Sequence, residues 1–422
     1  MKRPTLSRRE VLHLGTAAAV LPGNLSSSSV QAPSGPLYTR GLFTHVWDLK
    51  DQDVDNLLDW MRDSGLNQMC IAGSYHSGWF VHPHSPSHRA YMTEGSVIYF
   101  QPDHKIWSRN LIKPHVASFV KENNWLKAAG ERIDRYGVRM VSWTIGTHNT
   151  TLGKLYPQYT QHNVYGDSIP HALSVGHDAT REYLKALCRD LAINYPMYGI
   201  QLESFGWMGL KHGHHHERDL TGLSSLEQQL LSMCFNPQTV GKAEAEGIDA
   251  GKVKEVVRTV LDAAFQEAPH RPAGHPRSMG ELEDQSPELK AYNGFRERLA
   301  DSMIAELKAE ALKGTSCKLL MQGGYRREIA AAVDGFSTGA YGQPPEEVLA
   351  IVRQALSAAP PGWEGDFPCF IRLGMGIPES PQQLREIVKA VKEGGSTGPV
   401  FYNYSESPSK MLSWIKGALY EL

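Results

Sequence analysis

Along the chain, apolar β-rich runs alternate with stretches in which apolar residues recur every three or four positions. Eight runs read as strands: residues 41–47, 68–73, 138–144, 197–203, 317–322, 335–340, 368–373 and 399–403. Between them the 3.6-residue period predicts helices over 54–64, 125–136, 178–194, 295–312, 345–359, 381–393 and 408–419. Gly65, Gly137 and Gly314 follow three of these helices, where a residue without Cβ accepts the left-handed turn that ends them. Pro345, Pro381 and Pro408 sit in the first turns of the last three, where a missing N–H costs nothing.

Strands that alternate with helices imply parallel pairing through crossovers, and continuous apolar strands imply a sheet covered on both faces. Eight such units predict an α/β fold, a closed (β/α)8 TIM barrel forming a single domain over residues 33–422. An open doubly wound sheet is the alternative, although the first βα turn lacks the G-x-G-x-x-G pattern of a dinucleotide site. Three connections are unusually long: residues 74–124, 146–177 and 204–294. All follow strand ends, so in a barrel they crowd the face where active sites form.

The first 32 residues follow a different pattern. Arg8 and Arg9 precede a short, mild apolar run over 11–21, then a serine-rich stretch and Val30, Gln31 and Ala32. That order is expected of a twin-arginine (Tat) signal peptide cleaved after Ala32, giving a periplasmic or secreted protein; a basic N-terminal tail is the alternative. The run is too short to cross a bilayer, and no other apolar stretch is long enough for stable membrane insertion. A formal net charge of −2, without a basic patch interleaved with aromatics, argues against a nucleic-acid partner. The five cysteines form no C-x-x-C pair and read as buried free thiols. Oligomeric state leaves no mark on the sequence.

Candidate chemistry concentrates at strand ends. Strand four runs Tyr198, Gly199, Ile200, Gln201, Leu202, Glu203, with Phe205, Gly206 and Trp207 beyond it. A carboxyl there projects into a barrel's mouth, where partial desolvation raises its pKa and suits it to general acid catalysis. The bland alternative is a Glu that caps a helix or pairs with a basic neighbour.

This arrangement resembles the large (β/α)8 glycoside hydrolase clan, and residues 231–247, with Cys234 and Phe235 leading into a helix, are similar to a segment of β-galactosidase-like barrels. The resemblance implies Glu203 as acid/base and a carboxylate nucleophile at the end of strand seven. The chain departs from the clan at Leu202, where Asn is usual, and at strand seven, which ends Arg372, Leu373, Gly374 with no acid. Candidates for the second carboxylate are Glu379, Asp48 and Glu406.

The other strand ends supply His45 and Trp47, Tyr75 and His76, Trp143 with His148 and Asn149, Gln322, Arg372, and Tyr402 with Asn403. With Trp207 they describe a substrate-binding mouth of rings, which stack on sugar C–H faces, and of amides and imidazoles, which bond hydroxyls. Arg372 is alternatively a carboxylate or sulfate anchor. In the run His212, Gly213, His214, His215, His216, adjacent imidazoles diverge, so a divalent metal competes with substrate contacts by His214 and His215 and with a solvated loop.

The expected function is an exported glycoside hydrolase that acts on a carbohydrate or glycoside without a cofactor. The competing readings are a metal-dependent sugar isomerase, epimerase or lyase, and a non-catalytic glycan-binding barrel.

Overall fold

The computed structural model describes residues 37–212 and 217–420. Residues 1–32, assigned above to an export signal, lie outside the described residues, as do His214 and His215. From Tyr38 onward the chain forms one compact unit.

Its centre is a barrel of eight parallel segments, labelled here β1 Gly41–Thr44, β2 Gln68–Tyr75, β3 Arg139–Ile145, β4 Met197–Glu203, β5 Lys318–Met321, β6 Thr338–Gly339, β7 Pro368–Arg372 and β8 Gly398–Tyr402. The order around the sheet is β5-β4-β3-β2-β1-β8-β7-β6. Gly335, just ahead of β6, makes parallel bridges to Leu320 of β5 and to Asp366 before β7, which joins the two ends of the sheet. The open doubly wound alternative is thereby excluded. Every strand faces barrel interior on one side and helices on the other, which is why the apolar runs are continuous rather than alternating.

Helices Val54–Asp63, Asp178–Asn194, Pro345–Ser357 and Pro381–Glu393 sit where the periodicity put them. Four stretches differ. The run over 41–47 stops as a strand at Thr44, and Val46–Gln52 is a helix with a capping box between His45 and Asp48. The 125–136 helix divides into Trp125–Gly130 and Ile133–Tyr136, and the 408–419 helix into Ser409–Leu412 and Trp414–Leu419. The helix expected over 295–312 begins earlier, as Pro287–Glu306, and ends in a π-turn over Leu307–Ala311. Its start at Pro287 follows the Ser286 side chain, which caps Leu289 N–H.

The connection after β4 contains helices Ser225–Leu231, Pro237–Ala245, Ala250–Glu267 and Met279–Gln285. They bury a hydrophobic cluster apart from the barrel core, built around Leu230, Met233, Val257, Leu261, Tyr292 and Phe295. The connection after β2 carries the antiparallel hairpin Trp79–Val81 and Ala90–Met92, and the connection after β3 carries a second hairpin, Thr160–His162 and Ser168–Leu173. All five cysteines are buried free thiols. No described helix is long and apolar enough to cross a membrane.

Candidate active site

At the C-terminal ends of the barrel strands lies a cavity of about 330 Å³, lined by Phe43, Tyr75, His76, Trp143, Glu203, Gln322, Tyr341, Arg372 and Tyr402. Its size and mixed polar and aromatic wall suit one small polar ring. Seven of these residues are the strand-end candidates read from sequence. Phe43 and Tyr341 are not among them: Phe43 reads as an ordinary core residue, and Tyr341 stands just past the weakest strand.

Glu203 is held from both sides. Its backbone continues the β3–β4 ladder opposite Ile145, and its carbonyl accepts from Gly146 N–H at 2.9 Å. The next residue, Ser204, turns sharply away at φ 56°, a left-handed conformation uncommon for a residue with a Cβ. Thr147 stabilises that turn, donating its N–H and its hydroxyl to the Ser204 carbonyl at 2.6 and 2.7 Å. The side chain receives a hydrogen bond from the Trp143 indole N–H at 2.7 Å on Oε2. Burial raises the Glu203 pKa above the ordinary carboxylate value, and the indole bond partly offsets this by favouring the ionised form. Among the described residues no cation pairs with Glu203 and it caps no helix, so the bland alternative for this residue falls away.

The Tyr75 and Tyr402 side chains both line the cavity wall beside Glu203. Burial pushes both phenols up, Tyr402 to about 12, and the charges of Glu203 and Glu406 push the same way. Both therefore remain neutral hydrogen-bonding groups at ordinary pH. His76 stacks on Tyr75 with ring centres 4.3 Å apart and on His148 at 4.7 Å. Burial lowers the His76 pKa, which favours the neutral imidazole.

The remaining candidates fall elsewhere. His148 is buried behind His76 and also meets His171 and His212 ring to ring. Asn149 caps the helix Thr150–Leu155 by accepting from Leu152 N–H at 2.8 Å. Trp207 donates its indole N–H to the Arg296 carbonyl at 2.8 Å and lines a separate cavity of about 530 Å³ with Met233, Met279 and Glu283. Among the described residues, no group of three or more His, Cys, Asp or Glu is placed to hold a metal.

His45, Trp47 and Asp48 lie beneath the cavity wall, not on it. The His45 and Trp47 rings stack at 4.1 Å and are both essentially inaccessible. Ser405 joins His45 to Asp48: its hydroxyl lies 2.7 Å from His45 Nδ1 and donates to Asp48 Oδ2 at 2.6 Å. The same Oδ2 accepts from His45 N–H at 2.8 Å, closing the helix cap.

Burial raises the Asp48 pKa from an ordinary 3.8 to about 7. The folded state thus holds this proton more tightly than the unfolded chain, so burying Asp48 costs stability above pH 7, and the cost fades as pH falls toward 4. Buried His45 acts in the opposite sense: its pKa is lowered, so the stability it contributes is lost as pH falls below its ordinary 6.5. Asp48→Asn keeps one oxygen for both bonds and removes the titration. Its unfolding free energy should exceed that of the parent by roughly 1–3 kcal/mol at pH 8. The gain should shrink toward pH 4 in denaturant titrations; a pH-independent gain, or a loss at pH 8, contradicts the assignment.

Glu406 and Glu379 differ in setting. Glu406 accepts from the Asn403 side-chain amide at 2.6 Å, and its own N–H donates to Asn403 Oδ1 at 2.9 Å. Glu406 is exposed, yet partial desolvation by the surrounding protein raises its pKa. Glu379 is exposed on the loop after β7, its N–H donating to Gln383 Oε1, and it does not line the cavity.

The fold is a (β/α)8 barrel with its cavity at the C-terminal ends of the strands. The chain is similar in structure to an α-L-fucosidase isoenzyme 2 from Paenibacillus thiaminolyticus, with TM-score 0.52 and 11% identity over 87% of this chain and 46% of that one. It is similar to a β-galactosidase from Bacillus circulans sp. alkalophilus, with TM-score 0.53 and 12% identity over 92% and 56% of the two chains. It is also similar to the PgaB (BpsB) glycoside hydrolase domain from Bordetella bronchiseptica, with TM-score 0.53 and 12% identity over 90% and 96%. The chain thus spans about half the length of the fucosidase and the β-galactosidase, and nearly all of the third domain. No family model matches the sequence, and no curated protein does.

Proposed function

We propose that this protein is an exported glycoside hydrolase in which Glu203 is the proton donor. The observation that carries the reading is the setting of Glu203: a partly buried carboxyl with a raised pKa, oriented by Trp143, on the wall of a monosaccharide-sized cavity rich in aromatic rings. The protonated carboxyl gives its proton to the glycosidic oxygen as the bond to the anomeric carbon breaks. The rings stack on the sugar's C–H faces, while Gln322, His76 and the two phenols offer hydrogen bonds to its hydroxyls.

Glu406 is the best-supported second carboxylate. Its charge and that of Glu203 both bear on Tyr75 and Tyr402, the two phenols of the cavity wall. Two carboxyls about 5 Å apart, as in a retaining enzyme, interact strongly, whereas a wider pair leaves room for water. Glu203 protonates the leaving oxygen, while Glu406 either takes a proton from the attacking water or attacks the anomeric carbon itself.

The test is the pH profile of kcat/KM on chromogenic aryl glycosides. A general acid acts protonated, so activity falls as pH rises through its pKa. The Trp143 bond favours ionised Glu203; its loss in Trp143→Phe should move the alkaline limb to higher pH. An unmoved limb, or a shift to lower pH, refutes Glu203 as the acid.

One observation favours a second reading. Among the described residues Glu203 is the single carboxylate on the cavity wall, which is compatible with a barrel that binds glycans without cleaving them. Tight glycan binding by the unsubstituted protein, with no turnover of any glycoside, would decide for it.

A further inference from the structure

Arg372 is the last residue of β7, on the wall where the resemblance leads one to expect a carboxylate nucleophile. It lines the same cavity as Glu203. One terminal nitrogen donates to the Met375 carbonyl at 3.1 Å, while the Nε–H is buried without a partner. Among the described residues no carboxylate forms an ion pair with it, in contrast to Arg181, Arg271 and Arg326, which hold Glu306, Glu227 and Asp301.

The loop after β6 packs tightly against this guanidinium. Gly342 has φ +68°, and a Cβ there would stand 2.9 Å from Arg372 Nη2. Only a residue without a side chain lets that backbone approach so closely, so the arginine is confined from the loop side. Across the cavity, Gln322 Oε1 is likewise buried without a partner. The phenols of Tyr75, Tyr341 and Tyr402 are all pushed toward their neutral forms by burial. Among the described residues the wall thus carries one cation, Arg372, with no carboxylate paired to it. A neutral sugar filling the cavity would strip water from the guanidinium without compensating its charge, which is costly, whereas a carboxylate matches its planar fork with two parallel hydrogen bonds.

We infer that the sugar bound in this cavity is acidic, a uronic acid whose carboxylate is held by Arg372. This rests on the glycan reading of the site but not on hydrolysis. It is tested by ligand-observed NMR titration of glucuronate and galacturonate against glucose, galactose and galactose 6-sulfate. The protein is the full chain with Glu203→Gln, so that nothing is turned over, and the same series is run with Arg372→Gln and Arg372→Lys added.

A uronate should bind at least about tenfold more tightly than its neutral counterpart. The preference should vanish in Arg372→Gln and be reduced in Arg372→Lys, which keeps the charge but not the fork. Equal binding of neutral and acidic sugars overturns the inference, as does a preference that survives Arg372→Gln. Preference for the sulfate ester over both uronates overturns the carboxylate assignment. The comparison in the protein that retains Arg372 decides the matter even if the arginine variants fold poorly. A uronate preference in a protein that hydrolyses no glycoside would sink only the hydrolase reading.

Discussion

Replacing Glu203 by glutamine should lower turnover by about 10²–10⁴-fold while leaving the thermal transition close to that of the parent protein. Glutamine keeps the shape and still accepts the Trp143 indole hydrogen bond, but it has no proton to give. Its amide is neutral, like the protonated carboxyl that acts as the proton donor, so substrate affinity should change little. The loss should therefore fall on kcat rather than on KM. It should also be smaller on glycosides whose leaving group is a weak base, since such groups depart with little protonic help. Equal losses on activated and unactivated leaving groups would mean that Glu203 orients the sugar and does not protonate the oxygen.

The second large effect concerns the barrel itself. Gly398 opens β8 at φ +142°, and a Cβ there would stand 1.9 Å from the Thr39 carbonyl oxygen. That carbonyl belongs to the segment entering β1, whose Thr39 N–H donates to Thr397 at 2.7 Å. Neither partner is a flexible side chain, so relief requires β8 and β1 to part, which opens the sheet at its first-to-last junction. Gly398→Ala should cost about 4 kcal/mol or more, measured by denaturant unfolding, or prevent folding outright. Gly241→Ala is the matched control: it lies within the helix Pro237–Ala245 with open space around a Cβ, and it should stabilise by about 0.5–1 kcal/mol. Similar outcomes for the two substitutions would contradict this account of closure.

Seven of the eight strands, all but β6, were legible because they are largely buried on both faces, and such strands leave uninterrupted apolar runs. The helix boundaries were legible where a cap or a proline marks them, as at Pro381 and Gly137. The errors have specific causes. Val46 and Trp47 extend an apolar run, but Asp48 closes a capping box with His45, and the cap overrides β-propensity three residues early. That is why His45 and Trp47 lie under the cavity and not on its wall. Asn149 looks like an amide ready for a sugar, yet the nearby helix start takes its oxygen.

Tyr341 was within reach of the same strand-end logic that found Gln322 and Arg372. It was missed because β6 pairs over two residues only and leaves a weak pattern in the sequence. Phe43 leaves no polar trace that separates a cavity floor from a core. What no sequence pattern carries is pairing state: that Arg372, on the same cavity wall as Glu203, forms no ion pair with a carboxylate among the described residues follows from an arrangement of residues more than 160 positions distant in the chain.

The most direct measurement is a ¹³C NMR titration of the Glu203 carboxyl, isolated as the difference between the labelled protein and its Glu203→Gln variant, set beside the alkaline limb of kcat/KM. The account predicts that the carboxyl titrates above the ordinary 4.5 of a glutamate and that its midpoint coincides with the limb. A carboxyl that ionises at or below 4.5 while activity persists several pH units higher would contradict it.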